Sequence, residues 1–159
     1  MSQPIDPNGF PPEALLAEYP GAIAELAEEI RAFVREAVPD SIEAVRPGWR
    51  IIGYNVPAGR RTPYFAWLMV QVEHVHLGFP QGVLLDDPDG ELEGAGITKR
   101  ARWLTAVPGR QLVPGPYLRF ARQAARVAGL SAGEQGALRQ DRDARPAASG
   151  AKVSKAEPR

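Results

Sequence analysis

The sequence predicts an α+β fold in which two main helices pack on one face of a mostly antiparallel β-sheet. Residues 64–79 are mostly apolar, β-branched or aromatic, and such residues favour strands. A single strand of that length would extend about 50 Å at about 3.3 Å per residue. A domain of this size has a radius of gyration of only about 14 to 15 Å. The segment is therefore predicted to fold back as a hairpin between two amphipathic helices.

The first main helix is predicted over residues 21–38, after a flexible arm at residues 1–12 and a short helix at residues 13–17. Apolar side chains recur along it at three- and four-residue spacing, from Ile23 to Val34, and so form one stripe. Charged side chains occupy the opposite face, which is expected to be exposed: Glu25, Glu28, Glu29, Arg31, Arg35 and Glu36.

The strands are predicted from β-favouring stretches interrupted by Pro and Gly. Residues 41–56 are predicted as strand with a break at Pro47 and Gly48. The hairpin is predicted to turn near residues 70–73, where the alternating pattern becomes polar. A last strand is expected over residues 100–105.

The second main helix is predicted over residues 116–127, with Gly129 as its cap. Beyond residue 130 almost no large apolar side chain remains, and Ala, Gly, Ser, Pro and mixed charges dominate. Such a segment buries too little apolar surface to offset its chain entropy. The folded domain is therefore predicted over residues 13–130, followed by a disordered tail over residues 131–159.

Composition excludes several classes of function. The chain has 159 residues, a formal net charge of zero and no cysteine, so disulfides and zinc–thiolate sites are excluded. Its apolar runs are too short to span a bilayer, and its first residues lack a secretory pattern, which favours a cytoplasmic protein without a membrane partner. Nucleic acid is not expected as a partner, since the helical arginines Arg119, Arg122 and Arg126 would contact phosphates weakly or face water.

Two histidines lie two residues apart in the predicted hairpin. His74 and His76 would project from the same face of a strand, which is one way to present two imidazoles to a metal ion. The alternative is a pair of hydrogen-bonded histidines at a strand edge, because neighbouring groups readily satisfy imidazole. No nucleophile motif is evident around the serines, so the protein is predicted not to be an enzyme.

A glycine segment followed by two basic residues invites comparison with phosphate-binding loops. Gly94 and Gly96 precede Lys99 and Arg100, and backbone amides in a glycine turn can form an anion site. The spacing matches neither the nucleoside-triphosphate loop nor the dinucleotide fingerprint, so a sharp turn with solvated basic residues is the alternative. Together with aromatic side chains, these residues are hypothesised to form a ligand pocket: Arg46, Trp49, Tyr54, His76, Gly94, Gly96, Lys99 and Arg100.

Residues 13–130 resemble the YdhG-like domain family, a domain of unknown function. The resemblance rests on a helix ending in residues 35–40 and on His76-Leu77-Gly78-Phe79, Gly82, Leu85, Asp87-Pro88, Leu92-Glu93-Gly94, Gly96 and Arg100. The chain departs from the family at His76, Ile97 and Ala101, where members often have Asn or a similar residue, Lys and His. The resemblance implies a frataxin-like fold and iron handling by exposed carboxylates, here Glu25, Glu28 and Glu29.

Three functions remain open for a non-enzymatic binding domain. The first is handling of labile iron through the acidic face of the first helix, without a tightly bound cofactor. The second is binding of a small anionic molecule in the aromatic and basic pocket. The third is docking of a protein partner on the sheet.

Overall fold

Five antiparallel strands form one sheet, in the order in which they occur along the chain. The computed structural model describes residues 10–46 and 48–145. The strands are β1 (Ile42–Arg46), β2 (Ile51–Asn55), β3 (Tyr64–Val70), β4 (Val75–Phe79) and β5 (Arg102–Ala106). The helices are α1 (Pro12–Leu16), α2 (Gly21–Ala37), α3 (Pro114–Ala128) and α4 (Ala132–Ala144). The predicted α+β class is confirmed.

One face of the sheet packs against α2 and α3 and forms the core. A single row of paired residues crosses all five strands on this face: Val45, Ile52, Leu68, Leu77 and Leu104. Each of them is at most 7% exposed. The helices add side chains such as Ile30 and Phe120, both fully buried. Each large side chain removed from water in this way contributes about 1.5 to 3 kcal/mol before chain entropy is subtracted.

The two main helices begin and end close to the predicted positions. Proline tolerates the first turn of a helix, where its missing N–H costs nothing; Pro114 begins α3, and Pro20 directly precedes α2. The Val38 amide donates to the Val34 carbonyl at the end of α2, and Gly129 caps α3. The helices contact each other through the rings of Phe33 and Tyr117, whose centres are 5.7 Å apart.

The predicted hairpin is confirmed, with β3 and β4 joined by a turn in which the Gln71 amide donates to the His74 carbonyl. The predicted break in residues 41–56 separates β1 from β2, and Arg50 there adopts a φ of 53°. After β4 the chain makes a single 3₁₀ turn over Gly82–Leu84. The Val83 amide donates to the Arg100 carbonyl, and β5 begins two residues later than Arg100.

The prediction of a disordered tail from residue 131 is wrong for residues 132–144, which form α4. Ser131 and Glu134 form a capping box, in which the Ser131 hydroxyl accepts from the Glu134 amide and the Glu134 carboxylate accepts from the Ser131 amide. This S-x-x-E spacing is visible in the sequence. Leu138 packs against the core, and Arg142 donates to the Leu84 carbonyl at 2.9 Å. The remainder of the predicted tail, residues 146–159, lies outside the described residues.

At the other terminus, the predicted arm extends too far. Helix α1 already begins at Pro12, and Phe10 is half-buried against the core. Residues 1–9 of the predicted arm lie outside the described residues. Over the two described stretches, no helix is both long enough and apolar enough to cross a membrane.

Candidate functional site

The sheet face opposite α2 and α3 carries aromatic, basic and glycine residues. One row of paired residues on this outer face runs Ala44, Gly53, Trp67, Gly78 and Trp103. The neighbouring row runs Arg46, Ile51, Met69, His76 and Thr105. Most of the large side chains in the two rows are half-buried rather than covered. This outer face is the candidate site.

Glycines shape the outer face, because each lacks the Cβ that would displace a planar group. A Cβ on Gly78 would lie 2.1 Å from the Trp67 ring, and one on Gly94 would lie 2.7 Å from the Trp103 ring. A Cβ on Gly53 would lie 2.5 Å from Nε of Arg46. Strand glycines often mark such close approaches. The two indoles and one guanidinium therefore lie close against the sheet backbone.

Arg46 stands at the β1 end of the outer face. Its guanidinium carbon lies 4.7 Å from the centre of the Tyr64 ring, and its Nη2 donates to Oδ1 of Asn55 at 3.4 Å. A cation over an aromatic face is attracted by the ring quadrupole. Arg46 is nevertheless exposed, so part of its charge faces solvent.

At the β5 end, a chain of polar side chains holds His76. Nδ1 of His76 lies 2.9 Å from Oγ1 of Thr105, and Thr105 donates to Oε1 of Glu93 at 3.0 Å. The His74 ring centre lies 4.4 Å from that of His76, and the Trp103 ring centre lies 6.1 Å from it. Burial and the neighbouring His74 lower the pKa of His76 and outweigh the opposite effect of the Leu104 backbone. The cationic form of His76 is therefore disfavoured.

The structure does not form the hypothesised pocket, because Tyr54 lies on the helix-packed face. Tyr54 pairs with Ala66 and His76 pairs with Met69. Since Ala66 and Met69 are an odd number of positions apart on β3, their side chains point to opposite faces. Tyr54 is 2% exposed, and burial beside the negative charge of Glu43 raises its pKa well above the usual value. Trp49 lies in the turn between β1 and β2, 79% exposed.

The glycine segment forms a turn whose amides are partly used internally. Gly94 and Gly96 adopt φ values of 116° and 84°, which favour glycine. The Ile97 and Thr98 amides donate to the Gly94 carbonyl at 2.9 and 3.0 Å, so those two donors are not directed at an anion. Lys99 and Arg100 are exposed.

On α2, Glu25, Glu28 and Glu29 are exposed as predicted. Glu28, however, accepts hydrogen bonds from Nη1 of Arg31 at 3.0 and 3.1 Å, so the iron hypothesis rests mainly on Glu25 and Glu29. Among residues 10–46 and 48–145, no group of three or more His, Cys, Asp or Glu side chains is arranged to hold a metal ion. Iron handling stays a prediction.

The prediction that Arg31 is exposed is wrong, since it is 4% exposed. Arg31 donates from Nε and Nη2 to both carboxylate oxygens of Glu43, at 2.9 and 2.6 Å. The Tyr54 hydroxyl donates to Glu43 at 2.7 Å. Burial disfavours the Arg31 cation, but the hydrogen bonds and charge of Glu43 outweigh it and raise the pKa of Arg31. This ion pair ties α2 to β1 and has no part in the outer face.

A shallow cavity lies between the ends of β3 and β4 and the last turns of α3. Tyr64, Phe65, Gln81 and Val127 are among its lining residues, and it has room for about one water molecule. It therefore does not accommodate an organic ligand. The open outer face is the better candidate.

Fold and site together define an α+β domain with helices on one side of an antiparallel sheet and, on the other, an aromatic face that the described helices leave uncovered. Comparisons with protein-family models, with curated proteins and with solved structures returned no match. The resemblance to the YdhG-like family and to frataxin therefore stays a prediction.

Proposed function

We propose that this protein is a non-enzymatic binding domain that holds a small, planar, anionic molecule on the outer face of its sheet. The observation that carries the proposal is that the Trp67 ring lies against Gly78 and the Trp103 ring lies against Gly94, on a sheet face that α2 and α3 leave uncovered.

Stacking is the interaction that this row can supply. A flat ligand ring placed on the outward side of an indole exchanges water for an aromatic surface, which contributes about 1 to 3 kcal/mol per ring in comparable sites. Because Gly78 lets the Trp67 ring settle against the backbone, that ring loses little further conformational freedom when a ligand stacks on it. Preorganisation of this kind lowers the entropy cost of binding.

The charged side chains of the outer face indicate that the ligand is anionic and how it is oriented. Arg46 supplies a cation at the β1 end, whereas Glu93 supplies a carboxylate beside Thr105 at the β5 end. His76 lies between them, where burial and His74 lower its pKa and so disfavour a positive charge on its ring. The anionic group of the ligand is therefore directed towards Arg46, and nucleoside monophosphates and aromatic carboxylates have the required chemistry.

Tryptophan fluorescence tests this proposal. The chain has three tryptophans, so Trp49→Phe leaves only the two on the outer face as reporters. In that background, adenosine monophosphate and an aromatic carboxylate are expected to quench the emission saturably, and neutral sugars are not. Arg46→Gln should weaken binding by about tenfold, as loss of one charge-assisted contact implies.

Arg126→Gln on α3 is the matched control, because Arg126 is exposed on the other side of the sheet. It should bind as the parent does. Absence of quenching across the panel, or an equal loss of affinity in both arginine variants, would contradict the proposal.

A further inference from the structure

His74 and His76 lie side by side where the β3–β4 turn enters β4. Their ring centres are 4.4 Å apart and their planes are inclined by 58°. Both rings are half-buried rather than sealed, so water reaches them. Two imidazoles at this spacing can share a metal ion, because each needs only one ring nitrogen with a free lone pair.

Hydrogen bonding identifies the free nitrogen of His76. The Thr105 hydroxyl has one proton, and it donates that proton to Glu93. In the hydrogen bond between Thr105 and His76, the imidazole must therefore donate from Nδ1 and the Thr105 hydroxyl oxygen must accept. With the proton on Nδ1, Nε2 carries the lone pair through which His76 can bind a metal.

The same chain of contacts supplies an outer shell for the metal ligand. Metal-binding histidines usually donate their second nitrogen to a polar group, which fixes the ring and its tautomer. Thr105, itself held by Glu93, performs that role for His76.

The ring separation also indicates the coordination angle. With metal–nitrogen bonds of about 2.0 to 2.1 Å, each ring centre lies roughly 3.2 Å from the metal. For one metal ion bound by a nitrogen of each ring, ring centres 4.4 Å apart correspond to an angle of roughly 90° at the metal. That angle is typical of neighbouring positions in square-planar and octahedral complexes, which Cu(II) and Ni(II) adopt.

We propose that His74 and His76 form a two-histidine site for a borderline divalent metal ion, with Cu(II) bound most tightly and water in the remaining positions. Within the described residues no third His, Cys, Asp or Glu completes a ligand group, so coordination positions stay open for exchange. The site does not depend on the proposed binding of a planar ligand.

Titration of the full chain with each metal salt alone tests the site. Cu(II) and Ni(II) are expected to quench Trp103 saturably at one ion per chain, because its ring lies 6.1 Å from that of His76. Electron paramagnetic resonance of the Cu(II) form should show imidazole nitrogen couplings. Affinity should follow the order Cu(II) above Ni(II) and Zn(II), above Mn(II).

Single variants separate a shared site from adventitious binding. His74→Ala and His76→Gln should each lower the Cu(II) affinity at least tenfold, and Thr105→Val should lower it about tenfold through loss of the outer shell. Circular dichroism establishes that each variant is folded. Unchanged Cu(II) binding in either histidine variant, or no saturable quenching in the parent, overturns the proposal. Ligand binding to the outer face is measured with EDTA present, so the two proposals fail independently.

Discussion

Replacing Arg31 by Met is expected to destabilise the fold more than any exposed charge substitution. The substitution keeps an apolar stem but removes the guanidinium that donates to both oxygens of Glu43. The Glu43 side chain is 9% exposed and, among the described residues, would keep only the Tyr54 hydroxyl as a hydrogen-bond partner. Most of the lost stability is expected to come from leaving the buried Glu43 carboxylate without a cation.

The magnitude follows from the burial of each partner. Removing one partner of a buried ion pair lowers the free energy of unfolding by about 3 to 5 kcal/mol. The bonds from Arg31 to Glu13 and Glu28 add little, because those side chains are 68% and 49% exposed and exposed pairs contribute about 0.2 to 1 kcal/mol. The free energy of unfolding should therefore fall by about 3 to 5 kcal/mol, which lowers Tm by roughly 10 °C in a domain of this size.

Urea denaturation of Arg31→Met, Arg31→Met/Glu43→Gln and Arg126→Met provides the assay. The double variant should recover about half of the loss or more, because a neutral amide still accepts from Tyr54 and leaves no buried charge. Arg126→Met, at an exposed position in the last turn of α3, should cost less than about 1 kcal/mol. A loss below about 1 kcal/mol in Arg31→Met, or no recovery in the double variant, would refute the reasoning.

Three further outcomes are expected. Burial alone would raise the pKa of Glu43, but hydrogen bonds from Arg31 and Tyr54 outweigh burial and lower that pKa. The stability that Glu43 contributes to the fold is therefore present above its unfolded-state pKa and is lost as the pH falls through its folded-state pKa. The difference in unfolding free energy between the parent and Glu43→Gln should accordingly shrink from pH 7 to pH 3. Gly78→Ala should cost about 1 to 3 kcal/mol and red-shift tryptophan emission, because its Cβ would displace the Trp67 ring. Ser131→Ala should cost about 1 kcal/mol of α4 stability, seen as faster amide exchange in that helix.

Each of these has a control or a contradicting result. A pH-independent difference for Glu43→Gln would mean that Glu43 does not keep a lowered pKa. Gly21→Ala is the control for Gly78→Ala, because nothing lies within 4 Å of its added Cβ; equal effects of the two would rule out the ring contact. Unchanged exchange in Ser131→Ala would show that docking of Leu138 and Arg142, not the cap, holds α4.

Most of the fold was predictable because its signals are local. The spacing of Ile23, Leu26 and Ile30 predicts α2, and the length of residues 64–79 requires a hairpin. Helix α4 was also predictable from Ser131 and Glu134, but its few apolar residues obscured that signal.

The candidate site was much less predictable. The aromatic and basic residues of the outer face were partly identified, since Arg46 and His76 do lie there. The sequence does not separate Tyr54 from these residues, because a strand residue can point to either face and its pairing with Ala66 decides which. The sequence predicts an exposed Arg31, because helical spacing does not reveal that Glu43 approaches it from β1.

Apolar periodicity and chain length specify the class of the fold, the two main helices and the hairpin, because both act within a short segment. Long-range packing establishes that Trp67 lies against Gly78, that His76 is held through Thr105 to Glu93, and that Arg31 is buried. Those contacts join residues that are distant in the chain, and strand register, which sets them, depends on how all five strands pair.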